Sequence, residues 1–233
     1  EGKSLINVLL AKTLSEMGQR VLLVDADLRK PQLHHRLGVN NLTGLSNLLT
    51  ENDLDWPEVI QTVANHESWS VLTAGRRPPD PARLLSSNRM QTLVRQLAES
   101  GRFDFILYDT PPVIGLADAA LVAEHLDGLM LLVSLNRVDR SLPHEAIVRI
   151  RSSGAALLGI VTNAVKEDHA SSSSYGYGRY GYGGYGYGAY DPRNTYAYYQ
   201  DQEASSNRQT EKAPDHSRPI QRLMSRFIHW IDG

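Results

Sequence analysis

The chain has 233 residues, a formal net charge of −2 and no cysteine. Disulfides, thiol nucleophiles and cysteine-ligated metal or iron–sulfur sites are therefore excluded, and the near-neutral balance gives no electrostatic case for a nucleic-acid partner. The length allows one α/β domain of about 160 residues followed by a long tail. No run reaches the ~18 apolar residues of a membrane-spanning helix, and no signal peptide opens the chain.

In chain order, EGKSLINVLLAKTL runs straight into helix, with no initiator Met and no strand before it. This start reads as a fragment of a longer protein. Leu5, Ile6, Leu9, Leu10, Leu14 and Met17 recur at helical spacing, and Gly18 is a stop signal. RVLLVDAD is a β-rich apolar run that ends in carboxylates. GLSNLLT and WPEVIQTV read as short helices and SWSVLTAG as a strand. PARLLSS and NRMQTLVRQLAES read as helices, FDFILYDTPP as a strand and LADAALVAEH as a helix. DGLMLLVSLN is a strand, SLPHEAIVRIRSSG a helix and ALLGIVTNAV a last strand. Apolar strands alternating with amphipathic helices predict an α/β fold, a mostly parallel sheet covered on both faces. The pattern stops at Lys166. Residues 167–217 read as a disordered tail, and 218–231 regain helical period through Ile220, Leu223, Met224, Phe227, Ile228 and Ile231.

The tail carries ten of the eleven tyrosines within residues 175–199, spaced mostly by glycine: Tyr175, Tyr177, Tyr180, Tyr182, Tyr185, Tyr187, Tyr190, Tyr196, Tyr198 and Tyr199. Glycine at that density keeps the phenols on a mobile segment. Two readings stand: a sticky low-complexity segment, or a set of phosphate acceptors.

Three motifs bear on phosphate chemistry. Gly2, Lys3 and Ser4 match the last three positions of GxxxxGK[ST] and stand directly before a helix. There, backbone N–H groups cradle phosphates, a lysine reaches the β/γ-phosphates and a hydroxyl binds Mg²⁺. Asp109 ends an apolar strand, where P-loop folds place a second carboxylate for the nucleotide's metal. Asp25 and Asp27 end another strand. If that strand persists to Asp27, both carboxylates point to the carboxyl edge of the sheet, and Arg29 follows at the same interval.

VLLVDADLRKP resembles the additional Walker motif of bacterial tyrosine kinases. GKS and FILYDTPP resemble their Walker A and Walker B motifs, and AGRRPPDPARLLSSNRM resembles a further segment of theirs. The similarity spans residues 1–166. It implies a P-loop NTPase-like kinase domain that uses ATP and Mg²⁺. Lys3 would bind phosphates, with Gly2 and Ser4 beside it. Ser4, Asp27 and Asp109 would hold Mg²⁺, and Asp25 would activate the acceptor tyrosine with Arg29 nearby. Asn163 would contact adenine, and the tail cluster would be the autophosphorylated substrate. Also implied are a ring-like homo-oligomer that phosphorylates tails in trans, a polysaccharide co-polymerase region in the membrane, a tyrosine phosphatase, and a place at the cytoplasmic face of a bacterial inner membrane, where capsule or exopolysaccharide production is controlled. Asp80 and Arg83 depart from the family's usual Asn and Glu.

Each phosphotyrosine adds roughly −1.5 to −2 charges, so full modification of the cluster would add about −15 to −20 and favour subunit dissociation. A strand missing before the P-loop would expose apolar faces near the sheet centre and weaken both folding and ATP binding. Three rivals remain open. A partition-type or division-site-type ATPase shares the Walker arrangement, and the 218–231 stretch suits either a membrane surface or packing on protein. Asn136-Arg137-Val138-Asp139 mimics a guanine-reading motif. A scaffold with a self-associating tail is the non-enzymatic reading.

Overall fold

The computed structural model describes residues 2–135 and 138–163; the tyrosine cluster, the 218–231 stretch and the first two residues of the guanine-like motif lie outside them. Eight helices and six strands alternate among the described residues. Strands β1 (Val21–Asp25), β3 (Trp69–Leu72) and β4 (Phe105–Asp109) form a parallel sheet with β1 in the middle, and the short β2 (Gln61–Thr62) joins antiparallel to β3. Strands β5 (Leu129–Ser134) and β6 (Leu157–Asn163) pair in parallel as a second sheet. Among the described residues no ladder joins β4 to β5.

Every residue of β1 is buried, as expected of a strand covered on both faces. Its alternation sorts two cores. Leu22 and Val24 pack with Leu45, Leu72, Leu85 and Met90, beneath α3 (Leu45–Thr50), α5 (Pro81–Leu85) and α6 (Asn88–Glu99). Val21 and Leu23 pack on the opposite face with Val8, Ala11 and Leu33, from α1 (Lys3–Glu16) and α2 (Leu33–Leu37). A third core lies between the second sheet, α7 (Asp118–Ala123) and α8 (Ser141–Ser152).

Several expectations need correction. The stripe Leu5, Ile6, Leu9, Leu10, Leu14 and Met17 faces inward only in part: Leu14 packs against the core, whereas Leu5, Leu9 and Met17 are 37%, 39% and 69% exposed, and Val8, Ala11 and Ser15 are buried. On the inner side the Ser15 and Ser68 hydroxyls meet at 2.7 Å. WPEVIQTV is not one helix. Helix α4 (Trp56–Val59) ends where Ile60 turns extended, and Gln61–Thr62 pairs with β3. The strand at RVLLVDAD stops at Asp25, and α2, absent from the sequence reading, follows it. Asp80 keeps the capping role open to the family's Asn, since its Oδ1 accepts the Arg83 N–H at 3.1 Å at the start of α5.

Tyr108, the tyrosine outside the tail cluster, has a buried hydroxyl with no hydrogen-bond partner among the described residues, and burial pushes its phenol above the ordinary value. An unsatisfied buried hydroxyl destabilises by about 1 kcal/mol or more. Tyr108→Phe is therefore expected to raise Tm by about 2–4 °C in a thermal melt; a lowered Tm would show that the hydroxyl has a partner.

Candidate active site

The carboxyl ends of β1 and β4 lie side by side, with Asp25 and Asp109 as register partners. Asp25 is fully buried and holds its own loop together. Its Oδ1 accepts the Asp27 N–H at 3.3 Å, and its Oδ2 accepts those of Gln32 at 3.1 Å and Leu33 at 3.0 Å. These bonds turn the chain out of the strand, so Asp27 and Arg29 do not continue its alternation. Asp27 instead accepts the Lys30 N–H at 2.9 Å and reaches the same edge from the loop, within the field of Asp109 and Lys3.

Burial dominates the electrostatics. It raises the Asp25 carboxyl to about 7, against the Leu33 and Gln32 N–H bonds that lower it and with the charges of Asp109 and Asp27 adding to the rise. Asp27 and Asp109 are also pushed upward, first by burial. Lys3 opposes the shift at both, and Ser4, Asn7 and Arg36 oppose it at Asp109. Three carboxylates that resist ionisation at one sheet edge call for cations.

Helix α1 begins beside this sheet edge. Gly2 caps it in the left-handed region at φ 96°, where a side chain is strained. A Cβ there would also stand 2.8 Å from Asn163 Nδ2. Asn163, the last residue of β6, therefore borders the start of α1. Its carbonyl accepts the Leu135 N–H at 2.8 Å. Ser4 hydrogen-bonds Asp109, and Asn7 Nδ2 donates to Asp109 Oδ1 at 2.9 Å, tying α1 to β4. A cleft of about 80 Å³ opens beside Lys3, walled by Thr110, Pro111, Ile114, Leu131 and Leu142. It adjoins the carboxylates and does not contain them.

No group of three His, Cys, Asp or Glu among the described residues holds a metal alone. The donors present, the Ser4 hydroxyl on Asp109 with Asp27 nearby, are hard oxygens. They fit Mg²⁺, which keeps several waters and takes further ligands from substrate phosphates.

Arg29 does not face the carboxylate cluster alone. Its guanidinium forks onto Asp118, Nε–Oδ2 at 2.7 Å and a terminal nitrogen to Oδ1 at 3.1 Å. Asp118 is fully buried at the start of α7. The pair pins the loop after β1 to that helix. Sequence reasoning missed Asp118, whose one signal was an acidic residue in a first helical turn. It also missed Asn7, a polar residue inside an apolar run. In the guanine-like motif, Asp139 Oδ1 accepts the Ser141 N–H and hydroxyl at 2.8 and 2.6 Å, so it holds the start of α8.

Comparisons with known proteins bear on the fold and the family. Residues 1–180 match the ParA family model, described as NUBPL iron-transfer P-loop NTPase. The tyrosine-protein kinase YwqD of Bacillus subtilis (strain 168) is 34% identical over 177 residues, 76% of this chain and 72% of that protein. The tyrosine-protein kinase Wzc of Salmonella typhi is 33% identical over 178 residues, and the match spans 24% of its length. The kinase domain of the Escherichia coli tyrosine kinase ETK superposes with a TM-score of 0.67 at 30% identity, over 76% of this chain and 68% of that one. The Aquifex aeolicus cell-division protein MinD, at 21% identity and a TM-score of 0.56, shares the fold alone. A nucleotide-binding P-loop fold with this identity to YwqD places the chain in the bacterial tyrosine-kinase family, and it is a protein-tyrosine kinase domain.

Proposed function

We propose that this domain is an autokinase, transferring the γ-phosphoryl group of ATP to the tyrosines of its own tail, from Tyr175 to Tyr199. The observation that carries the reading is the meeting of the α1 start with Asp25, Asp27 and Asp109 at one sheet edge. Backbone N–H groups at Gly2, Lys3 and Ser4 take the phosphates, and Lys3 neutralises charge that develops on the transferring group. Asn163 borders the adenine. Ser4, Asp27 and Asp109 would hold Mg²⁺, which would supply positive charge to offset that of the phosphates.

Asp25 orients the acceptor phenol and takes its proton. The phenol oxygen bonds to the γ-phosphorus, the bond from phosphorus to the β–γ bridging oxygen breaks, and ADP leaves. A carboxyl held near 7 matches a general base working at neutral pH. Arg29, anchored on Asp118, positions the loop that carries Asp27.

The sequence divides at about residue 166 between kinase domain and tail, and residues 218–231 carry apolar positions at helical spacing. A glycine-rich linker of ~20 residues spans about 25 Å, enough to reach a neighbouring subunit. Tails would be modified in trans within a ring and reset by a tyrosine phosphatase. Among the described residues no helix is long and apolar enough to cross a membrane. Wzc is much longer than the matched region, and a relative from Klebsiella pneumoniae is named for a cps region. These support a role in capsule or exopolysaccharide production beside a co-polymerase at the inner membrane.

In purified full-length protein given ATP and Mg²⁺, phosphotyrosine should map by mass spectrometry to residues 175–199 and vanish in Lys3→Met. Tail phosphotyrosine that persists in Lys3→Met removes the autokinase reading. A second prediction concerns pH. With its carboxyl raised in the folded state, Asp25 favours folding below about 4, and this contribution is lost as pH rises towards 7. In EDTA, urea unfolding should show Asp25→Asn gaining about 3 kcal/mol relative to wild type between pH 4.5 and 7.5. A constant difference across that range means that Asp25 ionises normally.

A further inference from the structure

The loop after β1 carries two arginines, and their situations differ. Arg29 is bonded in a fork to Asp118. Arg36, on α2, is half-buried, and its Nε is buried with no hydrogen-bond partner among the described residues. A guanidinium nitrogen removed from water without an acceptor is costly, more so than a neutral group.

Three features of the fold bear on where this side chain lies. The N-terminal end of α2 is tethered to Asp25 through the Gln32 and Leu33 N–H groups. Leu33 and Leu37 pack with Val8 and Ala11 of α1, which seats α2 against the phosphate-binding helix. Arg36 follows Gln32 by one helical turn, and its N–H bonds the Gln32 carbonyl at 3.2 Å. Long side chains on a helix lean back over the preceding turn. Arg36 therefore leans towards the end of α2 that holds Asp25, and its charge is felt at Asp109. The other unpartnered nitrogen on α2, His34 Nδ1, belongs to a ring that burial and His35 hold towards the neutral form.

We propose that Arg36 is a phosphate-binding residue of the transfer site, donating to the terminal phosphate of the nucleotide. The inference rests on the nucleotide lying at the start of α1. There the inner phosphates belong to backbone N–H groups, so an anion reached from α2 across Asp109 is the terminal one. Before the nucleotide binds, Arg36 offsets the negative carboxylate edge together with Lys3. Once it binds, Arg36 Nε gains an acceptor that the described residues do not supply, and the guanidinium stabilises charge on the transferring group as an arginine provided in cis.

The test compares ATP with ADP, because a residue that merely props up α2 would weaken both alike. In full-length protein with Mg²⁺, fluorescent-nucleotide titration of Arg36→Gln is expected to show ATP affinity falling about tenfold, the scale of one charge-assisted hydrogen bond. ADP affinity should stay within about twofold, and Arg36→Lys should recover part of the loss. Equal losses for the two nucleotides, or no loss for either, overturn the assignment. If Arg36→Gln does not fold, the same ratio is read in Arg36→Lys, where an unchanged ATP-to-ADP preference overturns it equally. Failure of the wild-type protein to bind either nucleotide would instead count against the nucleotide site at α1.

Discussion

The structure of this site depends on one buried carboxylate. Asp25 closes the central strand of the sheet with no exposure to water, a position in which an ionised group is costly unless donors surround it. The donors are the N–H groups of Asp27, Gln32 and Leu33. To deliver them, the chain must leave the strand, circle the carboxylate and start a helix. The path of residues 27–33, the place of Asp27, the burial of Leu33 and the anchoring of α2 all follow from that requirement. Asp109 organises the neighbouring strand in a related way, because Asn7 and Ser4 reach it from α1. Each carboxylate thus joins a strand end to a helix, Asp25 to α2 and Asp109 to α1.

The cost of this arrangement is concentrated negative charge. Asp25, Asp27 and Asp109 are all driven towards the protonated form, chiefly by burial. An edge of this kind is unfavourable for folding at neutral pH and favourable for binding a cation and its phosphates. Sites that store unfavourable interactions in the free protein are where ligand binding recovers them. The Arg29–Asp118 pair fits the same logic. It ties the loop after β1 to the start of α7 through a buried carboxylate.

Much of this was legible in the sequence, and the parts that were not share a cause. Apolar runs ending in aspartate marked β1 and β4, and so placed Asp25 and Asp109 at the carboxyl edge before any contact was known. The GKS before a helix placed Lys3 and Ser4. Strand β2 has two residues and α2 has five, too few to show a period. The exposed leucines of α1 misled because apolarity ranks side chains by water transfer, whereas a helix lying close to a sheet selects for small volume. Alternation was extended to Asp27 and Arg29 because the pull of the Asp25 carboxylate on backbone N–H groups seven and eight residues ahead is invisible in a linear pattern. Asp118 carried no motif; its role exists only through an arginine 89 positions away.

The fold alone does not separate a kinase from a nucleotide-driven switch, since MinD shares it. What separates the two chemistries is the nucleophile. Hydrolysis must activate water, a very weak acid, while transfer to tyrosine uses a phenol of pKa near 10. In a loose phosphoryl-transfer transition state the nucleophile forms little bond early, so a weak base suffices for the phenol and its proton can leave late. A carboxyl near 7 can accept that proton, and at neutral pH it can release it again. In the proposed mechanism, the burial that makes Asp25 a costly residue for the fold is the property that would suit it to a phenolic substrate.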